Sequence, residues 1–171
     1  MALSVDIVVV PVTFEPDHPT ELNAERAIEV RTDHWVIVNE ATVAALRLAT
    51  RVGETVHLVH ATLDLSPTAA VHGPAGMLIP ANVEQLHEAS NEHAIGVLNT
   101  LAERFCKGTT PILHASPGKP LDVVLAYSRD VTADLLVLAA SGRNRMERFI
   151  VGSTVDKVVR QATCPVLVVP H

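Results

Sequence analysis

The sequence predicts an α/β fold: one doubly wound domain with a five-stranded, mostly parallel sheet and helices on both faces. Three observations predict it. Apolar runs of strand length alternate along the 171 residues with longer segments of helical periodicity, the pattern of right-handed β-α-β crossovers. Most of the runs are continuously apolar, as in strands buried on both faces. The joints between them carry the prolines, glycines and capping residues that stop one element and start the next.

The first strand is expected at about Asp6 to Val12. Its N-terminal approach lacks a basic region, and Asp6 and Pro11 interrupt the apolar run, so it reads as a strand and not as a signal peptide. From Phe14 to about His34 the chain turns polar, with Pro16, Pro19 and many charges, and reads as an insertion. Trp35 to Val38 fits either a short extra strand or a direct lead into the helix that Asn39 caps. That helix should bury Ala41, Ala44, Ala45, Leu48, Ala49 and Val52, with Gly53 closing it.

Val56 to Ala61 is the second sheet strand. A Pro- and Gly-containing connection leads to a long helix from about Pro80 to Phe105, with Ala94, Val97, Leu98, Leu101, Ala102 and Phe105 on one face. Pro111 to Ala115 is the third strand. Gly118 and Pro120 introduce a helix with proline at its first position, burying Leu121, Val124, Leu125 and Ser128. Leu135 to Ala139 is the fourth strand and Val166 to Val169 the fifth.

Between the last two strands lies the segment richest in chemistry. It turns at Gly142, passes Arg143, Asn144, Arg145 and Arg148, and reaches Gly152 ahead of Ser153, Thr154, Val155 and Asp156. Ser153 with Asp156 three residues on reads as a capping box for a helix whose inner face is Val155, Val158, Val159 and Ala162. Glycines admit an anion close to backbone N–H groups, and a helix start supplies unpaired donors with partial positive charge. The residue types suit a polyphosphate. Arg143 and Asn144, beside Gly142, are the side chains best placed to join; the other arginines read as a solvated face.

Composition excludes several classes. A formal charge of −6 argues against a nucleic-acid or anionic-membrane surface. No run of about eighteen apolar residues suggests a transmembrane helix. Cys106 and Cys164 have no C-x-x-C partner, so reduced thiols in a cytoplasmic protein are expected. The nine histidines form no H-x-x-x-H pair: His57 and His60 face opposite sides of a strand and His87 and His93 diverge on a helix, so no structural metal site is expected. No Walker Gly-Lys-[Ser/Thr] and no G-x-S-x-G elbow occurs, and Asp156 is committed to the cap, so no catalytic residue is assigned.

Gly142, nine residues, Gly152-Ser153, a helix, then Thr163-Cys164-Pro165-Val166-Leu167-Val168-Val169 resembles the C-terminal signature of the universal stress protein family. Val8-Val9-Val10-Pro11-Val12 resembles that family's first strand, Val56 to Ala61 its second, and Gly118-Lys119-Pro120 its G-x-P turn. The match covers nearly the whole chain except Phe14 to about His34, so residues 1–171 are expected to form one Rossmann-like domain with an insertion at about 14–34. The expected strand order is 3-2-1-4-5.

The resemblance implies a stress-response module that holds ATP, or ADP or AMP, at the switch point between strands 1 and 4, with Mg²⁺ accompanying ATP. Gly142, Gly152, Ser153 and Thr154 would contact phosphate. Pro11, Val12 and Thr13 would lie by the adenosine, with the backbone of Ala61 reading adenine. Two positions depart from the family pattern: Ala139 stands where the first glycine of G-x-x-G-x(9)-G-[ST] belongs, and Thr13 stands where an aspartate is usual. A homodimer through Val166, Leu167, Val168 and Val169 is implied as well, and a further protein partner is compatible with it. The alternatives are an interaction dimer that has lost nucleotide binding and a weak ATP hydrolase. The insertion leaves the first strand on the adenosine side, where it could lid the pocket, plug it or contact a partner.

Overall fold

The backbone of the first strand is flanked by strands on both edges, and Val8, Val9 and Val10 in it are wholly shielded from solvent. This burial is what a continuously apolar run requires, each valine contributing about 1.5–3 kcal/mol. The computed structural model describes residues 5–17, 19–31, 34–65, 82–140 and 153–170. In chain order they form β1 (Ile7–Pro11), β2 (Phe14–Pro16), a 3₁₀ turn (Ala24–Arg26), β3 (Ala27–Arg31), β4 (His34–Val38), α1 (Glu40–Val52) and β5 (Thr55–Thr62). There follow α2 (Val83–Phe105), β6 (Thr110–Pro117), α3 (Pro120–Asp130), β7 (Leu135–Ala139), α4 (Ser153–Gln161) and β8 (Val166–Val169).

The main sheet has the order β6-β5-β1-β7-β8 with every pairing parallel. Counting only its own strands, this is third, second, first, fourth, fifth. One apolar layer joins α1 and α2 to one face through Leu46, Leu58, Leu98 and Leu101. The other joins α3 and α4 to the opposite face through Val59, Val124, Leu136 and Val158. The carboxylate of Asp134 accepts the N–H groups of Asp6 (3.0 Å) and Ile7 (2.9 Å), locking the start of β1 to the entry of β7.

Local chemistry explains the joints. Asn39 Oδ1 accepts the Thr42 N–H at 2.7 Å and caps α1. Gly53 lies so close to Val8 that a Cβ there would sit 2.4 Å from Val8 Cγ2. Gly118, at φ +149°, takes a conformation that side-chain-bearing residues rarely adopt.

The insertion is more structured than the sequence suggests. β2, β4 and β3 form a separate antiparallel ribbon in that order, which settles Trp35–Val38 as strand. Ile28 is 1% exposed and packs with Val36 and Val38 into the α1 and α2 layer. Arg104 of α2 donates to the Ala27 carbonyl at 2.8 Å and ties the ribbon to that helix, while Arg26 donates to the Val38 carbonyl at 3.1 Å within the ribbon itself.

Two helix-face expectations are corrected. Along α1, Ala44 and Val52 are exposed and Leu48 is half-buried, while Thr42, Val43 and Leu46 take the inner positions. On α4, Val155 and Val158 are buried, but Val159 is largely exposed. The partners of the expected capping box lie outside the described residues; within α4, Arg160 Nε donates to both oxygens of Asp156, one turn earlier, at 3.0 and 3.1 Å.

Candidate functional site

In a parallel sheet the helix and loop connections leave a crevice outside the carboxyl ends of the strands, at the point where winding reverses. Here that point lies between β1, whose crossover runs to β5, and β7, whose crossover runs to β8. The register brings the expected residues to one level. Pro11 pairs with Val59, so Thr13 stands level with Ala61, and Val9 pairs with Leu136, so Val12 stands level with Ala139.

At this edge Val12 is buried, Thr13 exposed, and Pro11, Ala61 and Ala139 half-buried. The Val12 N–H donates to the Val59 carbonyl at 2.8 Å, continuing the ladder past the end of β1. The Ala140 N–H likewise donates to Val169, at 2.8 Å. Gly142, Arg143, Asn144 and Gly152 lie outside the described residues. Ser153 opens α4, and Thr154 in its first turn is exposed.

One feature of this edge escaped the sequence reading. His60 places Nδ1 2.8 Å from the Val12 carbonyl, and its ring stacks on Phe14 with centroids 4.2 Å apart and planes 18° apart. His93 of α2 closes the cluster, its ring centroid 6.3 Å from that of Phe14. Burial lowers the pKa of His60; the Val12 carbonyl opposes that shift and the nearby His93 reinforces it. The neutral ring therefore donates from Nδ1 to Val12. The available signal was a histidine inside an apolar strand, level with the first residues of the insertion.

His57 turns to the other face, as its spacing from His60 predicts. Its Nδ1 lies 3.0 Å from the Tyr127 hydroxyl, and Tyr127 stacks on His114 at 4.1 Å. Burial lowers the pKa of both histidines, with Asp130 partly offsetting the effect at His114. The rings of His114 and Tyr127 wall a shallow cavity of about 500 Å³ between β6 and α3, one strand removed from β1. On α2, His87 accepts the Leu65 N–H at 2.9 Å through Nε2. Among the described residues no cluster of three or more His, Cys, Asp or Glu could hold a metal ion. Burial pushes the Cys106 thiol up to about 11, which leaves it unreactive.

Beside the opposite edge of the sheet runs a groove of about 720 Å³ between the 3₁₀ turn region and the outer flank of α1, reaching Val169 of β8. β8 itself is an edge strand. No helix among the described residues is long and apolar enough to cross a membrane.

A sequence profile described as the universal stress protein family matches residues 37–170. A universal stress protein of Methanocaldococcus jannaschii is 26% identical over 148 residues, covering 86% of this chain and 83% of that protein. Among solved structures, a universal stress protein from Lactobacillus plantarum aligns over 98% of this chain and 99% of its own, with TM-score 0.61 and 20% identity. One from Arabidopsis thaliana, described with AMP bound, aligns over 96% and 90%, with TM-score 0.55 and 14% identity. At these identities the structures establish the shared fold.

Proposed function

The chain belongs to the universal stress protein family, and from that premise we propose that it is an adenine-nucleotide-binding module whose pocket lies at the carboxyl ends of β1 and β7. The observation that carries the proposal is the register: β1 lies between β5 and β7 where the sheet reverses its winding, and counting on from Pro11 opposite Val59 and Val9 opposite Leu136 sets Thr13 level with Ala61 and Val12 level with Ala139. Ligands of open α/β sheets occupy that crevice. A relative of the same fold is described with AMP bound. The glycines at 142 and 152, with Ser153 and Thr154 at the start of α4, supply the residue types for phosphate.

ATP with Mg²⁺, ADP and AMP share the adenosine that Thr13 and the Ala61 backbone would meet. Arg143 and Asn144 would add to the phosphate end. The module acts as a homodimer through β8, in the cytoplasm, and the nucleotide shifts its partner surface by binding one arrangement more tightly than the other. An edge strand with apolar side chains is a template for pairing with its copy.

Thermal unfolding with and without nucleotide tests this. At about one hundred times Kd, binding adds about 2.7 kcal/mol, which raises the midpoint of a chain of this size by roughly 5–10 °C. The shift should vanish in Gly142→Val. No shift with ATP, ADP or AMP would favour the second reading, an interaction dimer without nucleotide. Thr13, Ala139 and the engagement of the Val12 carbonyl by His60 are the specific features on its side.

A further inference from the structure

Between the end of β1 at Pro11 and the start of β2 at Phe14 stand two residues, Val12 and Thr13. One side chain from the neighbouring strand grips the chain on either side of Thr13. His60 Nδ1 lies 2.8 Å from the Val12 carbonyl, and because a carbonyl only accepts, the nitrogen donates. The same ring stacks on Phe14 with centroids 4.2 Å apart. Phe14 is held in turn by its pairing with Val38 of the ribbon, and the ring of His93 on α2 borders it at 6.3 Å.

We propose that His60 is a positioning residue of the nucleotide crevice: by gripping Val12 and Phe14 it holds Thr13, the one residue between them, in place beside Ala61. The inference rests on the reading that this crevice binds an adenine nucleotide, and names the side chain that sets the shape of its adenosine end. Thr13 is exposed and belongs to neither flanking strand, so its position depends on how its two neighbours are held. His60 directly precedes Ala61 on β5. The group that grips one side of the adenosine end is therefore joined covalently to the other side.

Fixing the backbone of one residue costs about tenfold in an equilibrium constant. A crevice that already holds Thr13 spares the ligand that cost on binding. The opposite effect of the same bond is also definable. A carbonyl has two lone pairs, and His60 takes one at Val12, an acceptor that a nucleotide would otherwise be free to use. If positioning governs, loss of His60 weakens nucleotide binding; if blockade governs, loss of His60 strengthens it. The sign of one measurement separates the two.

Calorimetric titration of the full chain with MgATP and with AMP tests the proposal, together with nitrogen-15 relaxation at the Thr13 amide. His60→Leu removes both contacts and should weaken binding about tenfold, while the Thr13 order parameter falls from about 0.85 to below about 0.6. His60→Asn, whose Nδ2 stands where the imidazole Nδ1 does, returns a donor to the Val12 carbonyl and should recover most of the affinity and the order. Phe14→Leu removes the stack from the ribbon side and should also weaken binding, which keeps the test decisive if β5 does not accept leucine. Unchanged or tighter binding in either leucine variant would overturn the positioning role and leave the nucleotide reading intact. Weaker binding with Thr13 as ordered as in the wild type, or without recovery in His60→Asn, would overturn it too. A wild-type chain that binds neither ligand would overturn the nucleotide reading and this inference together.

Discussion

The ring of His60 lies flat against that of Phe14, 4.2 Å between centroids, so the first residue of the inserted ribbon is clasped by the strand that borders the candidate nucleotide crevice. Burial at this site disfavours charge on the imidazole. His60 has a lowered pKa in the folded chain, first through burial, and His57 and His114 are lowered by burial too. Groups depressed on folding contribute stability that is fully present above their unfolded value near 6.5 and is lost as pH falls through the folded values. The urea midpoint should therefore be level from pH 7 to 8 and fall between pH 6.5 and 5. His60→Leu should show a shallower fall, and equal midpoints at pH 7.5 and 5.5 would contradict the account.

Two glycines should respond to alanine with opposite signs. In Gly53→Ala the new methyl meets Val8 Cγ2 in the core of the central strand, an overpacking that costs about 1–3 kcal/mol. Gly96 lies in the exposed part of α2 with nothing within 4 Å of a Cβ. Gly96→Ala should stabilise by about 0.5–1 kcal/mol. Chemical denaturation of both variants reads the difference directly.

Thr132, just past α3, holds φ at +51°, an unfavourable conformation for a β-branched residue. Its N–H bonds to Arg129 and the next N–H to Ser128, closing the helix end. Thr132→Gly should raise stability by about 1 kcal/mol and the melting midpoint by roughly 2–4 °C. A lower midpoint would show that the hydroxyl bond to the Val131 carbonyl outweighs the relieved strain.

Ile28 tests whether the ribbon belongs to the core. Ile28→Ala removes a side chain that is 1% exposed and should cost about 2–5 kcal/mol. A loss below about 0.5 kcal/mol, the scale of surface substitutions, would return residues 14–38 to the status of a surface appendage.

On the proposed function, Thr13→Asp restores the carboxylate that the family carries beside adenosine. Charged hydrogen bonds contribute about 1.5–3 kcal/mol, so calorimetry should report roughly tenfold tighter nucleotide binding or better. Weaker binding would place Thr13 outside the pocket.

The parallel sheet was legible because its physics is simple. Val8 to Val10 and Leu135 to Ala139 are continuously apolar since both of their faces are covered, and their neighbours follow from the crossover rule. The ribbon was harder to see. An antiparallel strand needs only one apolar face, and in Ala27–Arg31 the pair Ile28 and Val30 alternates with Glu29 and Arg31 amid prolines and charges. On α1 the apolar stripe is wider than the sheet covers, so periodicity alone assigned Leu48 and Val52 inward. At the candidate site, the crossover order foretold that the first strand lies beside the fourth. The His60 clasp depends on side chains 46 positions apart in the chain, which no local pattern encodes.

The central strand also sets a timetable. β1 leaves the ribosome early, yet its partner in the fourth sheet position, Leu136 opposite Val9, emerges 127 residues afterwards. At about 5–20 residues per second that is a wait of roughly 6–25 s, during which an edge of three valines has no permanent neighbour. The ribbon of β2, β4 and β3 is complete by Val38 and can form first. A nascent chain stalled before Leu135 would hold this hairpin beside an unfinished sheet, the state in which a holdase chaperone has most to protect.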